Sequence, residues 1–191
     1  MNITGLSRSQ LLMLLLASEG FRGQQGEPIQ GTTRLQKLLF LLKEEAKLSP
    51  STGKGFEFTA WKFGPVSKEL YDDLEKLENL GLLRSEPVAM SSTTERDEFD
   101  LSFDDLMGDE ESQSRDSLEE KQYSLTPEGL GWVQAHFHPV KEKKTLDTVR
   151  RIKTKYGALS LQDLLHYVYT KYPEMTSQSE IKDKVDRKSV V

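Results

Sequence analysis

The chain has no cysteine. That excludes a disulfide framework, a thiolate metal site and a thiol nucleophile, and it agrees with a reducing compartment. It also lacks any long apolar run. The longest, Leu11 to Ala17, is seven residues, where a bilayer span needs roughly 20. The polar start and the missing small-residue cleavage pattern after that run argue against a signal peptide. Only three histidines are present, and no phosphate-cradling glycine motif. The expectation is a cytoplasmic protein with no membrane segment, no metal and no cofactor.

What is present is charge and a modest supply of core residues. Of 191 residues, 30% are charged and 36% hydrophobic, including two Trp, eight Phe and six Tyr, enough for one core with a decorated end. The net charge of -5 is unevenly spread. Between Thr94 and Glu120, twelve acids stand against Arg96 and Arg115, a net of -10 that leaves +5 for everything else. The acidity belongs to one insert.

Local signals divide the chain into helices and short strands. Ser7 and Gln10 have capping-box spacing and open a helix to about Glu19 that is apolar on nearly every side; Gly20 closes it. A Gly- and Gln-rich loop runs from Arg22 to Gly31. Thr32 or Thr33 then caps a second helix, with Leu35, Leu38, Leu39 and Leu42 at helical spacing and Phe40 and Leu41 beside them. Phe56 to Trp61 reads as a short strand. Gly64-Pro65 reads as the start of a third helix, with proline where its missing N–H is harmless, and Gly81 as its C-cap. Leu82 to Met90 and Gln122 to Leu125 form a hairpin with the acidic insert at its tip. Thr126-Pro127-Glu128 opens a helix that Pro139 stops. A basic helix from about Lys141 to Tyr156 follows, then one capped by Ser160, and a last short helix opened by Ser177 and Glu180.

Helix, helix, short strand, helix, hairpin, helix is the order of a winged helix-turn-helix. The expected fold is therefore mainly α with a small β wing: a winged-helix domain over 1–139, a disordered wing insert over 94–120, and a C-terminal helical extension over 140–191. Two stretches sharpen this. Thr33-Arg34-Leu35-Gln36-Lys37-Leu38-Leu39-Phe40-Leu41-Leu42 resembles the opening helix motif of the YwgA-like proteins and the Panacea (SocA-like) antitoxin domains. The stretch from Phe58 to Tyr71, with Trp61, Gly64-Pro65-Val66 and Leu70-Tyr71, is similar to their aromatic and Gly-Pro-Val signature. Tyr123-Ser124-Leu125-Thr126 with Gly129 resembles the wing-to-helix corner of winged-helix regulators. The resemblance covers about Leu6 to Phe137, and it implies an interaction role in place of an activity.

Catalytic and metal patterns are weak. His136 and His138 sit two apart at a helix end with no third ligand following, and His166 lies in an amphipathic helix. Glu119-Glu120-Lys121 has an acid-x-Lys pattern that arises by chance among twelve acids, so no catalytic residue is assigned. Asp104-Asp105 to Glu111 lacks the ligand alternation of a calcium loop. The expectation is a non-catalytic regulator or adaptor.

Charge selects the candidate contact residues. The third helix, Val66 to Leu80, carries net -3, and a wing bearing -10 would also be repelled by phosphates, so ordinary winged-helix docking on DNA is disfavoured. Its acids Glu69, Asp72, Asp73 and Glu75 suit a basic protein partner. Phe99, Leu101 and Phe103, alternating with acids in the insert, resemble segments that fold on a partner. The basic helix carries +5, with Lys143, Lys144, Arg150, Arg151, Lys153 and Lys155 as candidates for nucleic acid or another polyanion. A protein partner is the first expectation. A DNA-binding transcriptional regulator using the basic helix is the alternative, with the acidic insert able to shield that helix. An enzyme such as a nuclease is a distant third. Oligomeric state is open.

Overall fold

The computed structural model describes residues 6–61, 64–88 and 121–176. Its first helix, α1 (Arg8–Ala17), begins as its local chemistry dictates. The Ser7 hydroxyl accepts from the Gln10 amide at 3.3 Å, and the Gln10 side chain accepts from the Ser7 amide at 2.8 Å. Every residue from Leu11 to Ala17 is buried, so other elements surround α1. It ends at Ser18, not Gly20: Ser18 is extended, and its hydroxyl donates to the Leu14 carbonyl at 2.7 Å.

A two-residue strand, β1 (Ile29–Gln30), sits inside the stretch that reads as loop in sequence. Two residues carry no periodicity, and they become a strand only through a distant partner. In α2 (Thr32–Glu44) the N-cap is Gly31 at φ +84, without a side-chain cap. Thr32 and Thr33 are therefore inside the helix, and the Thr32 hydroxyl instead pairs with the Tyr123 hydroxyl at 2.6 Å.

The strands β2 (Thr59–Trp61) and β3 (Gly64–Val66) form an antiparallel ribbon, with Ala60 opposite Pro65. Gly64-Pro65 is thus strand and not a helix start; α3 (Glu69–Asn79) begins later, after Lys68. The reason lies in α2. Gln36 and Lys37 are fully buried, and both reach the backbone of this stretch. The Gln36 amide donates to the Ser67 carbonyl and accepts from the Ser67 amide, both at 3.0 Å. Lys37 Nζ donates to the Pro65 carbonyl at 3.1 Å. Those bonds hold 65–67 extended against the helical preference of the residues that follow. Gly64 adopts φ +83, and a Cβ there would lie 2.8 Å from Tyr169 Cε1. The residues Lys62 and Phe63 of the same signature lie outside the described residues.

Leu70, Leu74 and Leu77 bury one side of α3, and Gly81 at φ +67 turns the chain out of it. The strands β4 (Leu83–Pro87) and β5 (Lys121–Leu125) then pair antiparallel from Leu83–Leu125 to Pro87–Lys121. With β1 they make a three-stranded sheet in the order β1-β5-β4. The Thr126 hydroxyl accepts from Gly129 at 3.1 Å to cap α4 (Pro127–His136), and donates to the Gly81 carbonyl at 2.7 Å. One side chain therefore joins the end of α3 to the start of α4. Gly129 admits no side chain, since a Cβ would sit 2.0 Å from the Leu82 carbonyl oxygen.

The C-terminal helices are α5 (Lys143–Gly157) and α6 (Leu161–Lys171), the latter capped by Ser160, followed by a single 3-10 turn at Pro173–Thr176. They are not an appendage. Val149, Ile152, Tyr156, Leu164, Leu165 and Val168 are buried in the same core as α1 and α2. The Phe40 ring meets Phe58 and Tyr172 edge-on at 5.3 and 4.9 Å, which brings α2, the β2 approach and the chain end together. No packing boundary falls at residue 139. The insert 94–120 and the short helix expected from Ser177 lie outside the described residues. Among those described, no helix is long and apolar enough to cross a membrane.

Two of the glycines with positive φ, Gly81 and Gly64, should respond differently. At Gly81 a Cβ meets nothing within 4 Å, so Gly81→Ala should cost only the backbone penalty of about 1–2 kcal/mol. Gly64→Ala adds the collision with Tyr169 and should cost about 2–4 kcal/mol in all. Denaturant midpoints of the two variants check this, and equal losses would show that the Tyr169 contact is not tight.

Candidate functional site

The charged residues separate into those that hold the fold and those left facing outward. On α3, Asp73 is 3% exposed. Its carboxylate accepts from Arg8 Nε at 2.9 Å and from the Ser9 hydroxyl at 2.8 Å, which fastens α3 to the start of α1. Asp73 is therefore a structural acid and not a partner contact. Glu69 accepts from the Ser67 hydroxyl at the head of its own helix. Burial raises the Glu69 carboxyl, but that bond, two backbone amides and the charge of Arg8 bring it below its ordinary value. Asp72, Glu75 and Glu78 are exposed, beside Lys68 and Lys76. Phe99, Leu101 and Phe103 lie outside the described residues.

The cations of α5 divide the same way. Lys153 is 3% exposed and cannot meet a polyanion. Its Nζ donates to three carbonyls: Glu27 at 2.7 Å, Ser18 at 2.8 Å and Leu16 at 3.0 Å. It meets the carbonyl end of α1 from another helix, where the backbone dipole favours a cation. Burial pulls its ammonium down to about 8, with the Glu27 carboxylate acting the other way. It is still charged at neutral pH, with three hydrogens for three acceptors.

Lys155 is engaged by Glu45 at 3.4 Å and by the Tyr156 hydroxyl at 2.8 Å. Glu45 also accepts from the Tyr156 hydroxyl, from Tyr167 at 2.7 Å and from Lys171 at 3.0 Å. This knot ties the end of α2 to α5 and α6. Burial alone would raise Glu45, but the bonds from Tyr156, Tyr167 and Lys171 and the charge of Lys155 bring it down to about 2. Burial and the Glu45 carboxylate push the Tyr156 phenol far upward, so it stays a donor. Arg150 is paired with Asp147 at 3.1 Å and Glu19 at 3.8 Å.

Lys141, Lys143, Lys144 and Arg151 remain. All four are exposed, and none makes an ion pair among the described residues. With Val140, Asp147 and Thr148 they line an open groove of about 490 Å³ at the head of α5. The first turn of α5 carries Lys143 and Lys144 and no acid, the arrangement a helix N-terminus least favours. The histidines have other tasks. His136 stacks on Trp132 at 3.9 Å, and His138 Nδ1 accepts from the Val140 amide at 3.2 Å. Among the described residues no three His, Asp or Glu side chains are grouped to hold a metal.

Of the residues selected from sequence, the structure leaves Asp72 and Glu75 on one outward face and gathers Lys143, Lys144 and Arg151 at one groove. It takes Asp73 and Lys153 inside. Spacing carries the signal for both: Asp73 lies three after Leu70 and four before Leu77, and Lys153 lies four after Val149 and three before Tyr156. Each sits on its helix's apolar stripe, where a charge must have a buried partner. Lys141 and Thr148 join the groove without having been selected. The clamp residues Gln36 and Lys37 were also readable, because leucines and Phe40 on every other side leave α2 no solvent face. The chain matches no family model and no curated protein.

Lys153→Met should cost about 3–5 kcal/mol, since it leaves three buried carbonyls without a donor. Lys144→Met on the same helix should stay within about 0.5 kcal/mol. Urea unfolding of the two variants checks the contrast. The Glu45 knot makes a pH prediction. Its folded carboxyl lies below its ordinary 4.5, so its stabilisation is complete above that pH and is lost as pH falls through about 2. The stability gap between wild type and Glu45→Gln should be widest near neutrality and close steadily in acid. A gap independent of pH would show that the charge is not what the knot uses.

Proposed function

We propose that the chain is a non-catalytic winged-helix module that binds a protein partner through the outward face of α3. The order α1-β1-α2-α3-β4-β5, with a sheet in the order β1-β5-β4, supports the winged-helix reading. On that reading β2-β3 is a ribbon inserted before the third helix, and β4-β5 is the wing. The likeness of the Leu-rich helix and the Gly-Pro-Val stretch to Panacea-type antitoxin domains supports a protein partner, in a reducing, cytoplasmic setting.

The carrying observation is the charge that α3 presents. In winged-helix readers of DNA this helix enters the major groove. Here its exposed ionisable residues are Asp72, Glu75 and Glu78 against Lys68 and Lys76. Phosphate contact supplies most non-specific affinity for DNA, and an acidic face works against it. Asp73 and Arg8 lock α3 onto α1, so the face is presented on a rigid support. A basic protein surface is its complement.

Reversal of the face tests this. Asp72→Lys with Glu75→Lys should abolish recovery of the proteins that co-purify with the tagged chain from its own cells. In the same variant, affinity for a short mixed-sequence duplex should hold or rise. Weaker DNA binding, or an unchanged set of co-purifying proteins, overturns the assignment.

A further inference from the structure

We propose that the groove at the head of α5 binds nucleic-acid backbone phosphates without regard to sequence. This surface is separate from the α3 face and does not rest on it. Lys141, Lys143, Lys144 and Arg151 surround the groove with no ion-pair partner among the described residues. The remaining cations of α5, Arg150, Lys153 and Lys155, are all paired or buried. The four are a selected remainder, not a sample of a basic helix.

Their arrangement opposes folding. Lys143 and Lys144 crowd the positive end of the helix dipole, and like charges lie within one turn of each other. Glu142 and Asp147 moderate this, yet 141–151 still carries +3. Asp147 itself is neutralised by Arg150 at 3.1 Å. An anionic ligand relieves the repulsion.

The lining selects the class of anion. Lys144 and Arg151 stand at i and i+7, so two cations lie along one helix face over roughly 10 Å, while the Thr148 hydroxyl between them donates to the Lys144 carbonyl at 2.7 Å. No aromatic ring lines the groove for base stacking, and no Asn or Gln for reading a base edge. The groove is open to solvent, which suits a passing strand more than an enclosed nucleotide. Phosphate contact without base contact positions a strand and reads no sequence.

The experiment is fluorescence anisotropy of the full chain with a labelled short duplex across a salt series. Wild type should bind at low salt with a log–log slope no steeper than about -3.6, from roughly 0.9 for each phosphate neutralised by one of the four cations. Lys143→Glu/Lys144→Glu/Arg151→Glu should weaken binding by about tenfold or more and flatten the slope. Lys144→Gln/Arg151→Gln, which removes charge without reversing it, should give an intermediate loss, and circular dichroism should show both variants folded. Lys68→Glu/Lys76→Glu on α3 should leave affinity unchanged, which separates this site from the α3 face. Shuffled duplexes should bind equally. Absence of wild-type binding at low salt, wild-type affinity in the triple variant, or a marked preference for one duplex sequence overturns the proposal. So does polyglutamate of matched charge displacing the duplex at lower concentration than unlabelled duplex does, which would make an acidic polypeptide the occupant.

Discussion

A helix that is apolar on all sides must end somewhere inside the protein, and the carbonyls of its last turn then have no water to accept from. α1 is such a helix, and the Lys153 ammonium supplies the missing donors for Leu16, Ser18 and Glu27. Several features follow from that contact. It fixes the loop after α1, which leads into β1 and so sets the sheet's third strand. It also fixes the rotation of α5 about its own axis. With Lys153 turned inward beside Val149, Ile152 and Tyr156, the exposed cations of the first turns face outward together. The groove is in this sense a consequence of how α1 is capped.

A second constraint acts through α2. Gln36 and Lys37 are buried polar residues in a leucine-rich helix, tolerable only because each of them meets backbone groups. Their partners are Pro65 and Ser67, with Gly64 beside them in a conformation that other residues resist. The two stretches that carry the family resemblance are therefore two halves of one contact. A Leu-rich helix alone is weak as a signature, and so is a Gly-Pro-Val tripeptide. Physically, neither half makes sense without the other, because the buried amide and ammonium need the strand, and the strand needs them to stay extended.

Local chemistry was legible in the sequence at several helix ends, though not at the close of α1, which falls at Ser18, nor at the start of α2, where Gly31 stands in place of a threonine cap. The Ser7–Gln10 box, the Thr126 and Ser160 caps and the turn at Gly81 all stand where their residue types place them. What depended on distant partners was not legible. Pro65 suits a first helical turn as well as an edge strand, and only Gln36 and Lys37, about thirty positions earlier, decide between them. Ile29–Gln30 is a strand because Gln122 and Tyr123 are there to pair with it. The basic helix shows the same limit at the level of the site. Counting charge treats Lys143 and Lys153 alike, whereas helical periodicity already separates them: one is off the apolar stripe and one is on it. Asp73 and Asp72 differ for the same reason.

That separation changes what the charge of this protein means. The cations and anions taken inside join helix to helix, and their energies belong to folding, where burial makes each bond directional and little affected by salt. Those left outside differ on two elements: on α3 Asp72, Glu75 and Glu78 outnumber Lys68 and Lys76 by one, and the head of α5 is basic. On the functions proposed for them their energies belong to association, and the two kinds of association differ physically. Binding to a phosphate backbone is driven by release of condensed counterions, so its equilibrium constant falls steeply with salt. An acidic face meeting a basic protein has no condensed layer to release on that scale, and salt acts mainly on how fast the partners meet. The two surfaces therefore respond to one variable in different ways. A rise in ionic strength would strip a nucleic acid from α5 before it dissociates a protein from α3.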